Sequence, residues 1–235
     1  MIDSVDALLL DMNGTFMFEH DRLDREQDFS RPYRALGGRR DGARVQAQIN
    51  AAVEYLAVRY PDPAFRYAFP SVRQALQATG DDDLCERELD LLVEVVALHE
   101  LGVIPESYAA AIHRLAQRFV LGLVVDIWAP RQPWLGAFHQ SGISSAVSAM
   151  SFSSCKGIVK PAPEPFLEVL RQLDVEPSRA LVVGDSVRRD LGGATAAGIP
   201  CVLVGGSEHP DAVASFSNLL EFEQMHNGGA AKSHG

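Results

Sequence analysis

The chain has 235 residues, of which 47% are hydrophobic and 22% charged, a composition that excludes disorder of the whole chain. Its 31 acidic and 21 basic residues give a formal net charge of −10, which argues against a nucleic-acid partner because phosphate binding depends on clustered basic residues. The longest apolar runs are about seven residues, whereas a membrane-spanning helix needs about 20. We therefore expect no membrane partner.

The N-terminus and the cysteines indicate the compartment. The first residues include acids where a secretory signal has basic residues. The three cysteines are far apart and form no CxxC pair, so neither a disulfide framework nor a structural zinc site is expected. The sequence thus predicts a soluble, cytoplasmic protein, and it leaves the oligomeric state open.

Five short apolar segments are predicted strands, namely residues 7–10, 121–125, 146–152, 180–183 and 200–204. Several are apolar at successive positions, which is typical of strands buried on both faces of a parallel sheet. Helical patterns at 166–173 and 190–197 lie between the later strands. This alternation predicts an α/β fold with a doubly wound parallel sheet.

Residues 16–119 separate the first two predicted strands and have a different pattern. Apolar residues recur there at helical spacing in three stretches, beginning at Val45, Leu84 and Tyr108. We interpret 16–119 as a smaller helical domain inserted into a core formed by 1–15 and 120–225. Residues 19–40 are charged and contain glycine, which predicts an exposed or mobile segment, and 226–235 a flexible tail.

Residues with chemical potential follow three of the predicted elements. The first strand leads into Asp11-Met12-Asn13-Gly14-Thr15, Lys160 precedes a helix, and Asp185 follows the strand at 180–183, with Asp190 five residues later. Open α/β sheets bind ligands at the C-terminal ends of their strands. Clustered carboxylates suit Mg²⁺, and a lysine beside them can neutralise a phosphate. Taken singly, these residues could equally be turn, surface and helix-capping residues.

Together, these motifs resemble the haloacid dehalogenase-like (HAD) hydrolase superfamily over about residues 3–15 and 120–206. The resemblance implies a Rossmann-like core with a helical cap and phosphoryl transfer through an aspartyl-phosphate. It implies Asp11 as the nucleophile, Lys160 as the charge-orienting lysine and Mg²⁺ as the cofactor. The implied metal ligands are Asp11, the main-chain carbonyl of Asn13, Asp185 and Asp190, the last of these either as a ligand or as a partner of Lys160. The implied substrate-binding positions are Gly14, Thr15, Val125 or Asp126, and Lys160.

Two positions depart from the pattern that most phosphatases of this family have. Asn13 stands where these enzymes carry an aspartate that acts as general acid and base, and an amide cannot transfer a proton. The predicted strand at 121–125 ends in Val125 followed by Asp126, where the family usually has a phosphate-binding serine or threonine. Depending on the register, the hydroxyl is either missing at Val125 or replaced at Asp126 by a carboxylate that would repel phosphate.

Three functions remain open at this stage. The first is a Mg²⁺-dependent hydrolase of a small phosphorylated metabolite, with activity reduced by Asn13. The second is a catalytically degraded HAD-fold module for binding or interaction. The third is a dehalogenase-type hydrolase, which does not need the metal site indicated by Asp185. A phosphonate hydrolase that forms an imine is disfavoured, because no lysine precedes Lys156.

Overall fold

A six-stranded parallel sheet forms the centre of the computed structural model, which describes residues 4–80 and 83–227. The strands are β1 (Ala7–Leu10), β2 (Val120–Val125), β3 (Ala149–Phe152), β4 (Ala180–Gly184), β5 (Cys201–Leu203) and β6 (Ala214–Ser215). Their order is β3-β2-β1-β4-β5-β6, and every pairing is parallel. This order confirms the predicted doubly wound, Rossmann-like α/β fold.

The central strands are buried on both faces, as their continuous apolar runs predict. Leu8 and Leu10 of β1 belong to one apolar cluster, and Ala7 and Leu9 belong to the cluster on the opposite face. The predicted strand at 146–152 is shorter than expected, because β3 begins at Ala149. Strand β6 was not predicted, since two residues are too few to form a recognisable pattern.

Ten α-helices occur in the described part of the chain. They are α1 (Ser30–Ala35), α2 (Gly42–Arg59), α3 (Val72–Thr79), α4 (Glu86–Glu100), α5 (Glu106–Ala116), α6 (Gln132–Gln140), α7 (Ser153–Lys156), α8 (Glu164–Leu173), α9 (Gly192–Ala196) and α10 (Leu219–Asn227). Helices α8 and α9 cover one face of the sheet, with Phe166 and Ala194 buried there. Helices α5, α6 and α10 cover the other face, on which Trp134 and Phe222 are fully buried.

Five α-helices, α1–α5, occur in the described part of the chain between β1 and β2. Helices α1–α4 pack against one another, and we call these four helices the insertion. Helix α5 packs against α10 and β2, so this part of 16–119 lies with the sheet. The prediction that 19–40 is exposed is wrong for Phe29 and Tyr33, which are fully buried and attach α1 to the other helices.

The chain after β4 differs locally from the predicted helix at 190–197. A π-helical turn spans Val187–Leu191, and α9 follows it directly. Gly198, with φ of +71°, follows the helix as expected for a C-terminal stop.

The described residues limit two further expectations. In 4–80 and 83–227, no helix combines the length and the apolar character needed to cross a membrane. Of the predicted tail at 226–235, only 226 and 227 are described, at the end of α10, and the rest lies outside the described residues. The cytoplasmic location stays a prediction.

Candidate active site

The candidate site lies at the C-terminal ends of the two central strands. Strand β1 pairs with β4 over Leu10 and Val183, and the next residue, Asp11, donates its backbone N–H to the Val183 carbonyl at 2.9 Å. Asp185 comes directly after β4. Because the strand order reverses between β1 and β4, a crevice opens there, and both carboxylates lie at its floor.

Lys160 connects two buried carboxylates at this floor. Its Nζ contacts Asp11 Oδ1 and lies 2.7 Å from Asp190 Oδ1, and all three side chains are at most 6% exposed. Burial lowers the pKa of Lys160, but the charges of Asp11 and Asp190 outweigh this effect and raise it above its ordinary value. The ammonium group therefore stays charged and compensates both acids.

Asp190 is held by two hydrogen bonds. Its Oδ1 accepts from Lys160, and its Oδ2 accepts from the backbone N–H of Ser186 at 3.0 Å. Burial, followed by the charge of Asp11, raises the pKa of Asp190. Of the two roles expected for Asp190, these contacts place it directly as the partner of Lys160.

Two glycines allow the acidic loops to approach each other. Gly14 has φ of +76°, and a Cβ atom there would lie 2.3 Å from Asp185 Oδ2. A Cβ atom at Gly184 would lie 2.4 Å from Asp190 Cγ. Thr15, which is also buried, donates from Oγ1 to Asp11 Oδ2 at 3.3 Å. The loop after β1 thus orients Asp11 and leaves room for Asp185.

The three carboxylates form a donor set that fits a hard cation. Asp11, Asp185 and Asp190 each bring one oxygen within 4.8 Å of the other two. Burial and then the charge of Asp190 raise the pKa of Asp185, which shows the mutual repulsion that a bound cation would relieve. Oxygen donors are the ligands that Mg²⁺ prefers.

The structure decides which of Val125 and Asp126 faces the site. Val125 is the last residue of β2 and is buried in the apolar core, which corrects its prediction as a substrate-binding residue. Asp126 lines a cavity of about 200 Å³ between the insertion and the sheet. Its Oδ2 accepts from Tyr60 Oη at 2.7 Å and from the Lys160 backbone N–H at 3.0 Å.

Burial changes the acidity of Asp126. Removal from water raises its pKa to about 6, while the charge of Lys160 and the hydrogen bond from Tyr60 act in the opposite direction. The carboxyl group therefore gains a proton near pH 6, well above the range of an ordinary aspartate. This effect depends on burial, which the sequence alone could not show.

The same cavity is lined by polar residues that the sequence did not indicate, namely Asp21, Tyr60, Glu100 and Arg189. Asn13 and Asp126, which the sequence did indicate, complete its polar lining. Arg189 approaches Asp185 Oδ1 to 3.4 Å and Tyr60 Oη to 3.5 Å. The position of Arg189 next to Asp190 was the one available signal for it, whereas Tyr60 and Glu100 carry no recognisable motif.

Glu100 is a buried acid that connects the insertion to the loop after β2. At the end of α4, it accepts backbone N–H groups from Trp128 at 2.5 Å and from Ala129 at 2.8 Å. It is 3% exposed, and burial raises its pKa to about 8 against the lowering effect of these two hydrogen bonds.

Asn13 lies between Asp11 and the cavity, on the loop after β1. Within 4–80 and 83–227, its buried Oδ1 atom has no hydrogen-bond partner. An acceptor oxygen in this condition is suited to a donor on a bound molecule.

The fold thus brings an aspartate, a lysine and two further acids together at one edge of a parallel sheet. The family model of haloacid dehalogenase-like hydrolases matches residues 5–198 of this chain. The chain therefore belongs to the haloacid dehalogenase-like hydrolases.

The curated relatives include two phosphatases. A ribulose-1,5-bisphosphate 5-phosphatase from Halopiger xanaduensis is 29% identical over 118 residues, which cover 50% of this chain and 48% of the relative. A glyceraldehyde 3-phosphate phosphatase from Methanopyrus kandleri is 34% identical over 74 residues, which cover 32% of this chain and 28% of the relative. The chain thus spans less than half the length of either protein.

Solved structures support the fold. A HAD phosphatase from Thermococcus onnurineus superposes with a TM-score of 0.65 at 22% identity, covering 95% of this chain and 99% of that chain. A 2-haloacid dehalogenase from Pseudomonas syringae superposes with a TM-score of 0.61 at 22% identity, covering 97% of this chain and 100% of that chain. At these identities the likeness concerns the fold alone.

Proposed function

We propose that this chain is a Mg²⁺-dependent hydrolase of a small phosphorylated metabolite that works through an aspartyl-phosphate on Asp11. The observation that carries the proposal is the contact of buried Lys160 with both Asp11 and Asp190, next to Asp185. The phosphatases among the curated relatives support the same substrate class.

The proposed first step is attack of an Asp11 carboxylate oxygen on phosphorus. A new oxygen–phosphorus bond forms and the bond to the leaving oxygen breaks; an alkoxide leaving oxygen then takes a proton from solvent water, whereas an aryl oxide leaves without one. Thr15 and Lys160 hold Asp11 in orientation, and the Lys160 ammonium stabilises the charge of the transferring group. In the second step water attacks the phosphorus of the aspartyl-phosphate, which releases inorganic phosphate and restores Asp11.

Asp11, the Asn13 carbonyl and Asp185 would hold the metal, with Asp190 completing the acidic set. Bound Mg²⁺ would neutralise the phosphate charge and help to orient it for attack. The backbone N–H groups of the loop at Gly14 and Thr15 would contribute to phosphate binding, because such loops at strand ends form anion sites.

Asn13 predicts that proton transfer is the weak point of this enzyme. The amide cannot protonate a leaving oxygen, and general acid–base catalysis is worth about 10²–10⁴ in rate. We therefore expect activity to be highest with leaving groups that depart without protonation, such as aryl oxides.

A binding or interaction module of low turnover is the second candidate, and the substitution at Asn13 together with the carboxyl at Asp126 favours it. A dehalogenase-type reaction is a further alternative. It is less well supported, because it gives no role to the three carboxylates that converge at Asp185. Neither a nucleic-acid nor a membrane partner is part of the proposal.

Phosphate release from an aryl phosphate, with and without Mg²⁺, tests the function. We expect Mg²⁺-dependent turnover that D11N abolishes. The matched control is D6N, because Asp6 is an exposed acid near the opposite end of β1 that pairs with Arg179. Binding of Mg²⁺ and phosphate without turnover would favour the binding module, and chloride release from a 2-haloacid without Mg²⁺ would favour the dehalogenase.

A further inference from the structure

The cavity of about 200 Å³ adjoins the proposed nucleophile. Asn13, two residues after Asp11, forms part of its wall, and so does Asp126, which accepts from the backbone of Lys160. The Lys160 side chain contacts Asp11, so Asn13 and Lys160 both connect this cavity wall to the proposed nucleophile. The cavity is therefore the space available to the leaving group, and this step rests on the proposed function.

The polar lining of this cavity is rich in acceptors. Asp126 Oδ1 accepts none of the hydrogen bonds found among 4–80 and 83–227, and Asn13 Oδ1 has no partner in the same residues. Asp21 adds a further carboxyl group at the rim, whereas both oxygens of Glu100 already accept backbone N–H groups. Asn13 Oδ1, Asp126 Oδ1 and the Asp21 carboxylate are thus available as acceptors, so a molecule with hydroxyl donors gains hydrogen bonds here.

Positive charge is scarce on the same wall. Among the described residues, the cavity lining includes a single cationic side chain, that of Arg189. It already approaches Asp185 and Tyr60, to 3.4 and 3.5 Å. A second phosphate or a carboxylate on the substrate would therefore lose its hydration among carboxyl groups without gaining a free cation.

We infer that this cavity selects monophosphates whose leaving group is small, uncharged and rich in hydroxyl groups, and that it rejects substrates with a second anionic group. The volume agrees with a leaving group of a few carbon atoms, because pockets for drug-sized ligands measure about 300–1,000 Å³. The excluded class includes bisphosphates and phosphorylated carboxylic acids.

A matched pair of probes tests the selection. Glycerol 3-phosphate and 3-phosphoglycerate have the same carbon number, and they differ in a terminal hydroxymethyl or carboxylate group. We expect kcat/KM of the full chain with Mg²⁺ to be at least tenfold higher for glycerol 3-phosphate. Ribulose 5-phosphate should likewise exceed ribulose 1,5-bisphosphate by about tenfold. Equal or better use of either doubly anionic probe would overturn the inference.

A pair of variants connects the selection to this wall. Asp21, with 54% of its side chain exposed, lies at the rim of the cavity, and D21N removes its charge. Glu19, with a φ of +54° like that of Asp21, is an exposed acid outside the cavity lining, which makes E19Q the control. In D21N, the ratio of kcat/KM for glycerol 3-phosphate to kcat/KM for 3-phosphoglycerate should fall about threefold. In E19Q the same ratio should stay unchanged. An unchanged preference in D21N would overturn the role of this wall.

A binding measurement separates failure of the selection from failure of the proposed reaction. With Mg²⁺ and the D11N variant, glycerol 3-phosphate should raise the melting temperature more than 3-phosphoglycerate at equal concentration. If glycerol 3-phosphate stabilises D11N more strongly but the unaltered chain shows no turnover, the cavity selects as inferred and the proposed hydrolase function is refuted. The reverse order would overturn the selection, whatever the turnover.

Discussion

The Tyr60 hydroxyl donates a hydrogen bond to Asp126 Oδ2 at 2.7 Å and so joins the residue after helix α2 to the residue after strand β2. One partner belongs to the inserted helices and the other to the sheet, beside the proposed nucleophile. The position of Tyr60 on the inserted helices therefore influences the protonation of the Asp126 carboxyl.

Replacing Tyr60 by phenylalanine should raise the apparent pKa that governs activity near pH 6. The Tyr60 hydrogen bond stabilises the charged form of Asp126, and it lowers a pKa that burial holds at about 6. We expect the pH profile of kcat/KM for an aryl phosphate to shift upward in Y60F. Y67F is the control, since Tyr67 is 53% exposed and is not part of the cavity lining. An unshifted profile would show that Asp126 does not titrate in the reaction.

Replacing Lys160 by methionine should destabilise the fold as well as abolish activity. Asp11 and Asp190 would remain buried without their cation, a loss of about 3–5 kcal/mol in the free energy of unfolding. Urea unfolding near neutral pH measures this loss. K156M is the control, because the Lys156–Glu168 pair is largely exposed on the lysine side and should be worth about 1 kcal/mol or less. Similar losses in both variants would contradict the proposed charge compensation.

Glu100 should make stability depend on pH. In the folded chain its pKa is about 8, whereas its ordinary value is 4.5, so between these values the folded state binds more protons than the unfolded state. Stability from this group therefore falls as pH rises from about 4.5 to about 8. The difference in unfolding free energy between the unaltered chain and E100Q should decrease over this range. E94Q, at an exposed position of the same helix, is the matched control, and an equal decrease in both variants would contradict the role of Glu100.

Replacing Asn13 by aspartate should supply the missing proton transfer. We expect kcat to rise by about 10²–10⁴ for alkyl phosphates, whose leaving oxygen needs a proton, and by much less for aryl phosphates. Phosphate release from both substrates measures the difference. The double variant D11N/N13D should be inactive on both. An equal gain with alkyl and aryl phosphates would show that position 13 acts in another way.

Replacing Gly14 by alanine should weaken Mg²⁺ binding. The new Cβ atom would lie 2.3 Å from Asp185 Oδ2 and would displace that carboxylate from the other two acids. G206A is a close control, because Gly206 has φ of +83° and open space where the Cβ atom would lie. Calorimetric titration with Mg²⁺ should show at least tenfold weaker binding in G14A than in G206A. Equal affinities would exclude Asp185 as a ligand.

The sequence predicted the parts of the site that depend on strand ends. Asp11 and Asp185 each follow a continuous apolar run, and the ends of parallel strands meet at one edge of a sheet, so their proximity could be inferred. Lys160 could be predicted as a site residue from its place before a helix and from the resemblance to the family. Tyr60 and Glu100 could not be predicted in this way, because their positions depend on how the inserted helices pack onto the sheet.

The register at the end of β2 shows the same limit. An apolar run predicts that a strand exists but not which residue ends it, so the sequence leaves Val125 and Asp126 as alternatives. In the structure, Val125 forms the last pair of β2 with β3, and Asp126 follows the strand. The sequence pattern groups α5 with the helices before it, because its apolar stripe resembles theirs. Only its contacts with α10 and β2 reveal which apolar surface it covers.

The most direct test of the account is to trap the proposed covalent intermediate. The chain would be mixed with an aryl phosphate and Mg²⁺, quenched in acid within one turnover and analysed by peptide mass spectrometry, with D11N and D6N in parallel. The account predicts one added phosphoryl group on Asp11 in the unaltered chain and in D6N, and none in D11N. Phosphate release without any phosphoryl group on Asp11, or release that persists in D11N, would contradict it.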